Sequence, residues 1–164
     1  MSEWLDAEGH ADRAFEMFDC GRWSEAEAEL RKALALNPDQ PEWHFNLGMT
    51  LEAAGRETDA LVSYQRASEL MPNQPEPRIA AGIILSQLSD DRAAITYFDE
   101  ALALDSSCES AYAHKIHSHI ALGDHSEAET TYFISQQALT ETSARCCAAM
   151  AESLLERGEF GRAE

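Results

Sequence analysis

Residues 41–74 read PEWHFNLGMTLEAAGRETDALVSYQRASELMPNQ, and this stretch decides the fold because its landmarks recur along the chain. Its first half predicts an amphipathic helix that turns Leu47 and Leu51 inward. Its second half predicts another amphipathic helix, with Tyr64 on the inner face. Gly55 stands between the two halves, so the stretch predicts a helix–turn–helix unit.

The turn position recurs at a nearly constant interval. It is occupied in succession by Gly21, Gly55, Ser89, Gly123 and Gly158, which are 34, 34, 34 and 35 residues apart. The small residue that opens the second helix has the same spacing and is found at Ala26, Ala60, Ala94, Ala128 and Ala163. Because two landmarks agree, the chain consists of repeats of this unit.

A 34-residue unit with Leu-Gly in its first helix, Ala and then Tyr or Phe in its second helix, and a closing proline resembles the tetratricopeptide repeat. Leu47-Gly48, Tyr64 and Pro72 carry the resemblance in residues 41–74. It implies an all-α fold, an α-α solenoid of antiparallel helix pairs in a right-handed superhelix of about four and a half repeats. We expect a single array over residues 1–164, with repeats at 7–40, 41–74, 75–108 and 109–143 and a partial repeat at 144–164.

Some positions depart from this pattern or mark helix ends. Ser2 and Ser24 are predicted N-caps, the first of a helix that runs through Ala7 and the second of the next helix. Lys115 and Ile116 replace the Leu-Gly pair of the fourth repeat, which should widen that packing layer or shift the helix slightly. The last repeat breaks off early in its second helix, so we expect the sequence to be the N-terminal part of a longer array.

The charge is strongly negative, with 30 acidic and 12 basic side chains and a formal net charge of −18. Binding to nucleic acid or to anionic lipid requires Lys and Arg to displace counterions, so both partners are disfavoured. Basic protein partners are favoured instead. The sequence shows neither a signal peptide nor a run of 18 apolar residues, and a cytoplasmic location is expected.

Potential metal ligands cluster in the fourth repeat, where His114, His117 and His119 precede Asp124 and His125. His114 and His117 could share a helix face, but a metal site needs a further ligand from another helix. We therefore expect no metal and no cofactor, and we interpret His119 as a core residue. No phosphate-loop or nucleophile motif occurs, so no enzymatic activity is expected.

The four cysteines lack the C-x-x-C spacing of a redox or zinc site. They are Cys20, Cys108, Cys146 and Cys147. We expect free thiols that are buried as small apolar side chains in a reducing compartment.

The resemblance also implies a concave groove, lined by the first helices of successive repeats, in which similar proteins bind extended or helical peptides. The groove positions are Phe15, Phe18, Phe45, Met49, Ile79, Ile83, His117 and Ile120, bordered by Glu8, Asp19, Glu42, Glu52 and Glu76. Since large exposed apolar surfaces usually mark binding sites, we expect this groove to bind a peptide or helical segment with apolar and basic residues. Some of these side chains could instead pack between neighbouring first helices.

The family's best-known ligand, the C-terminal carboxylate of a chaperone tail, is disfavoured. It is held by Lys, Asn and Arg on three consecutive first helices, and the matching residues here are Ala11, Phe15, Asn46, Glu76 and Ala80. Only the asparagine is present, so the cations that bind a carboxylate are missing. Two alternatives to a peptide-binding module stay open: a substrate-recruiting or regulatory region of a larger enzyme such as a transferase, and a self-assembly scaffold that stacks through its partial fifth repeat.

Overall fold

The computed structural model describes residues 3–139 and 143–156. These residues form nine α-helices: α1 (Glu3–Asp19), α2 (Trp23–Leu36), α3 (Pro41–Ala53), α4 (Glu57–Leu70), α5 (Glu76–Gln87), α6 (Asp91–Leu104), α7 (Glu109–Ala121), α8 (His125–Ala138) and α9 (Ala144–Glu156). No strand occurs among them. The predicted all-α helical repeat architecture is confirmed.

Tight turns join the two helices of each pair at the predicted positions. Gly21, Gly55 and Gly123 have left-handed backbone conformations there, with φ of 71°, 71° and 76°. Ser89 takes the same conformation, with φ of 63°. A side chain at positive φ crowds its own backbone, so Ser89 carries strain that glycine avoids. The predicted turn at Gly158 lies outside the described residues.

The chain divides into two compact units, Met1–Ile84 and Leu85–Glu164, with the boundary inside α5. In the first unit α1 packs on α2, α2 on α3, and α3 on α4. In the second unit α6 packs on α7, and α7 packs on both α8 and α9. The single array over residues 1–164 and its repeat boundaries stay a prediction.

Tyr64 is the central large side chain between α3 and α4. It is buried together with the predicted inward residues Leu47 and Leu51 and with Gly48, Ala60 and Ala67. Its hydroxyl donates a hydrogen bond to Glu52 at 2.7 Å, which satisfies the one polar atom of the ring. Burial, followed by this hydrogen bond, raises the pKa of Tyr64, so the phenol stays protonated.

Glu29 ties α1 to α2. Its carboxylate lies 2.6 Å from His10 Nδ1 and 3.1 Å from Arg13 Nε on α1, and 2.6 Å from Lys32 Nζ on its own helix. The hydrogen bonds from Lys32 and His10 lower the pKa of Glu29 to about 2. The charged form of Glu29 is therefore part of the helix packing.

The core of the second unit is built around α7. Ile116 is completely buried, and Tyr112 and Ile120 pack with it against Ala128 of α8 and Cys146 of α9. Ile116 thus occupies a core position where the repeat pattern calls for a small residue. The predicted widening of this layer stays a prediction.

One predicted cap is wrong. The helix α2 begins at Trp23, and Arg22 is its N-cap residue, with no side-chain hydrogen bond to the cap. The carbonyl of Arg22 accepts from the N–H groups of Glu25 and Ala26, so the helix starts directly after Arg22 and leaves Ser24 inside it. The helix through Ala7 is confirmed by α1. Ser2 lies outside the described residues.

The cysteines are all free thiols, as predicted. Cys146 is buried, and Cys108 and Cys147 are half-buried. Cys20 is exposed, so the prediction of burial was wrong for this thiol. The reason is its place directly after α1, at the turn that Gly21 makes.

Candidate peptide-binding site

A cleft in the first unit, here called the apolar cleft, opens between α1 and α3. It holds about 80 Å³ and is lined by Ala11, Ala14, Phe15, Phe18, Asp19, Leu30, Asn46, Met49 and Thr50. Ala11 and Ala14 lack the bulk to fill the space between the helices. Phe15 is 63% exposed and Met49 is 38% exposed, so two large apolar side chains are accessible to a partner.

Phe18 forms one side of the apolar cleft and is held in place by an aromatic contact. Its ring lies 5.0 Å from the ring of Trp23 in an edge-to-face arrangement, at an interplanar angle of 62°. Such aromatic pairs contribute about 0.5–1.5 kcal/mol beyond their buried area. Trp23 therefore holds Phe18 in place, while the more exposed Phe15 is free to pack on a ligand.

A second pocket of the first unit, here called the acidic pocket, lies between α3 and the start of α5. It measures about 240 Å³ and is lined by Glu42, Phe45, Asn46, Met71, Gln74, Glu76 and Pro77. Glu42 and Glu76 are exposed and lie in the first turns of α3 and α5, where the helix dipole favours a carboxylate. Two negative charges at the mouth of one pocket attract a cation.

Phe45 and Asn46 lie side by side in α3 but have different surroundings. The ring of Phe45 lies 5.3 Å from that of Tyr64 and is half-buried. Asn46 is exposed and lines both the apolar cleft and the acidic pocket. Its amide can donate and accept hydrogen bonds, so it can bind the main chain of a peptide that passes over α3.

The remaining predicted groove residues line neither the apolar cleft nor the acidic pocket. Glu52 is half-buried and accepts the Tyr64 hydroxyl, so it is committed to the core rather than to a ligand. Ile79 and Ile83 are half-buried and line neither pocket. In the second unit Ile120 is 8% exposed and belongs to the core, which leaves no surface for a ligand. His117 is exposed there, 3.3 Å from Glu152.

Sequence reasoning missed several residues that line these pockets, and three of them lie outside the first helices of the repeats. Leu30 reaches the apolar cleft from α2, and Met71 and Gln74 reach the acidic pocket from the segment between α4 and α5. The groove prediction considered only first helices. Pro72 was the available signal, since it ends α4 and places its neighbours in an accessible connection.

The histidines of α7 do not form a metal centre. No group of three or more His, Cys, Asp or Glu side chains in residues 3–139 and 143–156 is arranged to hold a metal ion. His119 is 9% exposed, which confirms the prediction that it fills a core position. Burial is the main reason why the pKa of His119 lies below its usual value.

Part of the chain matches a known protein family. Residues 13–75 match the model of the tetratricopeptide repeat family. The match covers less than half of the 164 residues, and the fold of the chain is the one seen in solved tetratricopeptide repeat structures. Members of this family are in general non-catalytic scaffolds that bind protein or peptide partners. No curated protein matches the chain.

Solved structures share the fold at low sequence identity. The MamA crystal structure has a TM-score of 0.84 and 20% identity, covering 96% of this chain and 86% of that chain. A tetratricopeptide repeat protein from Parabacteroides merdae has a TM-score of 0.86 and 19% identity, covering 97% of this chain and 63% of that chain. YrrB, described as a TPR protein with an unusual peptide-binding site, has a TM-score of 0.75 and 16% identity, covering 96% and 80%.

None of the helices in the described part of the chain combines the length and the apolar character needed to cross a membrane.

Proposed function

We propose that the chain binds a peptide or helical segment of a partner protein through the apolar cleft and the acidic pocket. The position of Asn46 between these two pockets carries the proposal. An apolar side chain packs on Phe15 and Met49, and a Lys or Arg lies between Glu42 and Glu76. The amide of Asn46 binds the main chain that connects them.

The geometry of α3 sets the spacing of the ligand's two anchors. The pockets lie between α3 and different neighbours, so a ligand that fills both must cross α3, whose diameter with side chains is about 10 Å. An extended chain advances about 3.3 Å per residue, so the apolar and basic anchors should be about three residues apart. In a helical ligand, which rises 1.5 Å per residue, they should be about seven apart.

The net charge of −18 supports the basic anchor and opposes nucleic acid as a partner. The residues at the pockets favour a basic ligand group as well, because Asp19 borders the apolar cleft and two glutamates border the acidic pocket. A ligand carboxylate at either place would meet like charge, which costs affinity and excludes wrong partners.

Selection of peptides from a random displayed library tests the proposal. We expect the selected sequences to combine an apolar and a basic residue at one of these two spacings. The rates of binding are then measured by surface plasmon resonance on the chain and its variants. Phe15→Ala should weaken binding about thirtyfold or more, mainly through faster dissociation, because central aromatic anchors contribute about 2 kcal/mol or more.

Matched controls separate the pockets from general effects. Val62→Ala truncates an apolar side chain of α4 that is 65% exposed and lines neither pocket, so it should leave binding unchanged. Glu42→Lys should slow association more than Glu57→Lys, which makes the same charge change in the first turn of α4. The effect of Glu42→Lys should fade at molar salt, where the Debye length is about 3 Å. If the pocket variants behave like their controls, this surface is not the binding site.

A further inference from the structure

A pocket in the second unit, here called the histidine pocket, lies between α7 and α9 and has no part in the proposed peptide binding. It measures about 340 Å³ and is lined by Ala113, His114 and His117 of α7 and by Arg145 and Ala148 of α9. This volume falls within the range of about 300–1,000 Å³ that is usual for small-ligand sites. The polar atoms of its side chains all belong to nitrogen-containing groups.

The helical geometry of α7 fixes the relative positions of His114 and His117. His114 and His117 are three residues apart, so they project from the same face of the helix. The ring of His114 stacks on Phe98 of α6, with centroids 5.9 Å apart and planes inclined by 21°. The stacking limits the rotation of the imidazole.

The start of α9 places Arg145 on the other side. Ser143 precedes α9, and its hydroxyl oxygen accepts from the N–H of Cys146 at 3.0 Å. The same hydroxyl donates to the carboxylate of Glu109, in the first turn of α7, at 2.7 Å. This double contact ties the start of α9 to the start of α7 and so holds Arg145 at the pocket.

Arg145 differs from the cations of the first unit. There, Arg13, Arg22, Arg31, Lys32, Arg56 and Arg66 each lie within 3.1 Å of a carboxylate oxygen. Within the described residues Arg145 forms no ion pair. Lys115, the sequence neighbour of His114, is bound to Asp99 of α6 at 2.6 Å. Among the described residues Arg145 therefore has no carboxylate partner, although the net charge of the chain is −18.

The charged groups around His114 favour an anion. Burial, and then the charges of His117 and Arg145, lower the pKa of His114. On the side of α6, His114 contacts the uncharged ring of Phe98. The carboxylate of Asp99, the next residue of α6, forms an ion pair with Lys115. The carboxylate at the edge is Glu152 of α9, which is 57% exposed and lies 3.3 Å from His117.

We propose that the histidine pocket binds a phosphate group, either free or carried by a phosphorylated side chain. The guanidinium of Arg145 matches two phosphate oxygens at once. His114 and His117 supply further N–H donors. The alanines leave room for the atoms that carry the phosphate.

Titration with inorganic phosphate and with sulfate, followed by the NMR signals of the imidazole protons, tests the site. We expect saturable shifts of His114 and His117. Arg145→Gln should weaken binding about tenfold or more, because hydrogen bonds between charged partners are the strong ones. Arg92→Gln removes the same charge from an exposed position of α6 that does not line the pocket, and it should change binding less than twofold.

The pH dependence has a definite sign. Sulfate keeps its charge between pH 5 and 8, so a change in its affinity reports the protein's own groups. Because the pKa of His114 is lowered, its proton uptake on binding should make the affinity rise as the pH falls, by up to about tenfold per pH unit. His114→Gln should flatten this slope. Glu152→Gln should strengthen binding severalfold, and Glu127→Gln in α8 is its charge-matched control.

A short phosphoserine peptide and its unphosphorylated form distinguish the two sources of phosphate. Tighter binding of the phosphopeptide than of inorganic phosphate assigns the site to a phosphorylated side chain, and equal affinity assigns it to the free ion. The proposal is overturned if neither anion saturates, or if Arg145→Gln and Arg92→Gln weaken binding equally. These variants lie outside the apolar cleft and the acidic pocket, so their outcome is independent of the peptide-binding proposal.

Discussion

Gly48→Ala should destabilise the first unit, although alanine is the better helix former. A Cβ on Gly48 would lie 2.6 Å from both Cδ1 and Cε1 of Tyr64, about 0.8 Å inside the ordinary contact distance of 3.4 Å. The ring cannot swing away because it is buried and its hydroxyl is bound to Glu52. Overpacking of this kind costs about 1–3 kcal/mol, against about 0.5–1 kcal/mol gained from helix propensity. We expect a net loss of about 1–2 kcal/mol.

Gly9→Ala is the matched control in α1. A Cβ on Gly9 meets no atom within 4 Å, so only the propensity gain remains and the unfolding free energy should rise by about 0.5–1 kcal/mol. Thermal unfolding followed by circular dichroism measures both variants. Gly48→Ala should lower Tm by about 2–8 °C for a chain of this size, and Gly9→Ala should raise it. Equal shifts in the two variants would refute the close approach of α3 to Tyr64.

A double-mutant cycle locates the cause. If the clash with the ring destabilises Gly48→Ala, the same substitution in a Tyr64→Ala background should cost little, because the ring is gone. Additive losses would mean that Gly48 matters for another reason.

Other substitutions test the turns and the charge network. Ser89→Gly should raise the unfolding free energy by about 0.5–1 kcal/mol by relieving the positive φ, and Gly55→Ser should lower it; a loss in Ser89→Gly would contradict the left-handed turn. Glu29→Gln should lose about 1–2 kcal/mol at pH 7, allowing for solvent screening. Because the folded pKa lies below the ordinary 4.5, that stability is present above pH 4.5 and disappears as the pH falls towards about 2, where urea titrations of the two proteins should converge.

The helical repeat could be predicted because it depends on local and periodic features. A turn residue every 34 or 35 positions, with an alanine five residues later, fixes the helix pairs without knowledge of their contacts. The inward positions of α3 and α4 follow from the same periodicity, and the buried Tyr64 beside Gly48 bears this out. The start of α2 was missed because Gly21 and the Arg22 carbonyl determine it, whereas the serine signal places the N-cap at Ser24, two residues too far along.

The candidate site could be predicted only in part, because membership of a pocket depends on partners distant in sequence. Glu52 and Glu42 have equal charge and lie on the same helix, yet Tyr64 binds the first and leaves the second at a pocket. Ile120 follows the groove periodicity, but its contacts within the second unit bury it. Periodicity predicts on which face of a helix a residue lies, whereas the solvent exposure of that residue depends on which side chains of the neighbouring helix pack against it.

The net charge illustrates the same limit, because it is a sum over the chain while a ligand responds to the local field. At physiological ionic strength the Debye length is about 8 Å, so charges farther from a pocket than this act on its ligand only weakly. The acidic pocket is governed by Glu42 and Glu76, and the histidine pocket by Arg145, its two histidines and Glu152. The two proposals together assign to a chain of net charge −18 one pocket that selects a cation and another that selects an anion. A few residues at each pocket determine the sign of the ligand charge that it selects. We therefore expect a single Arg145→Gln or Glu42→Lys substitution to change that preference.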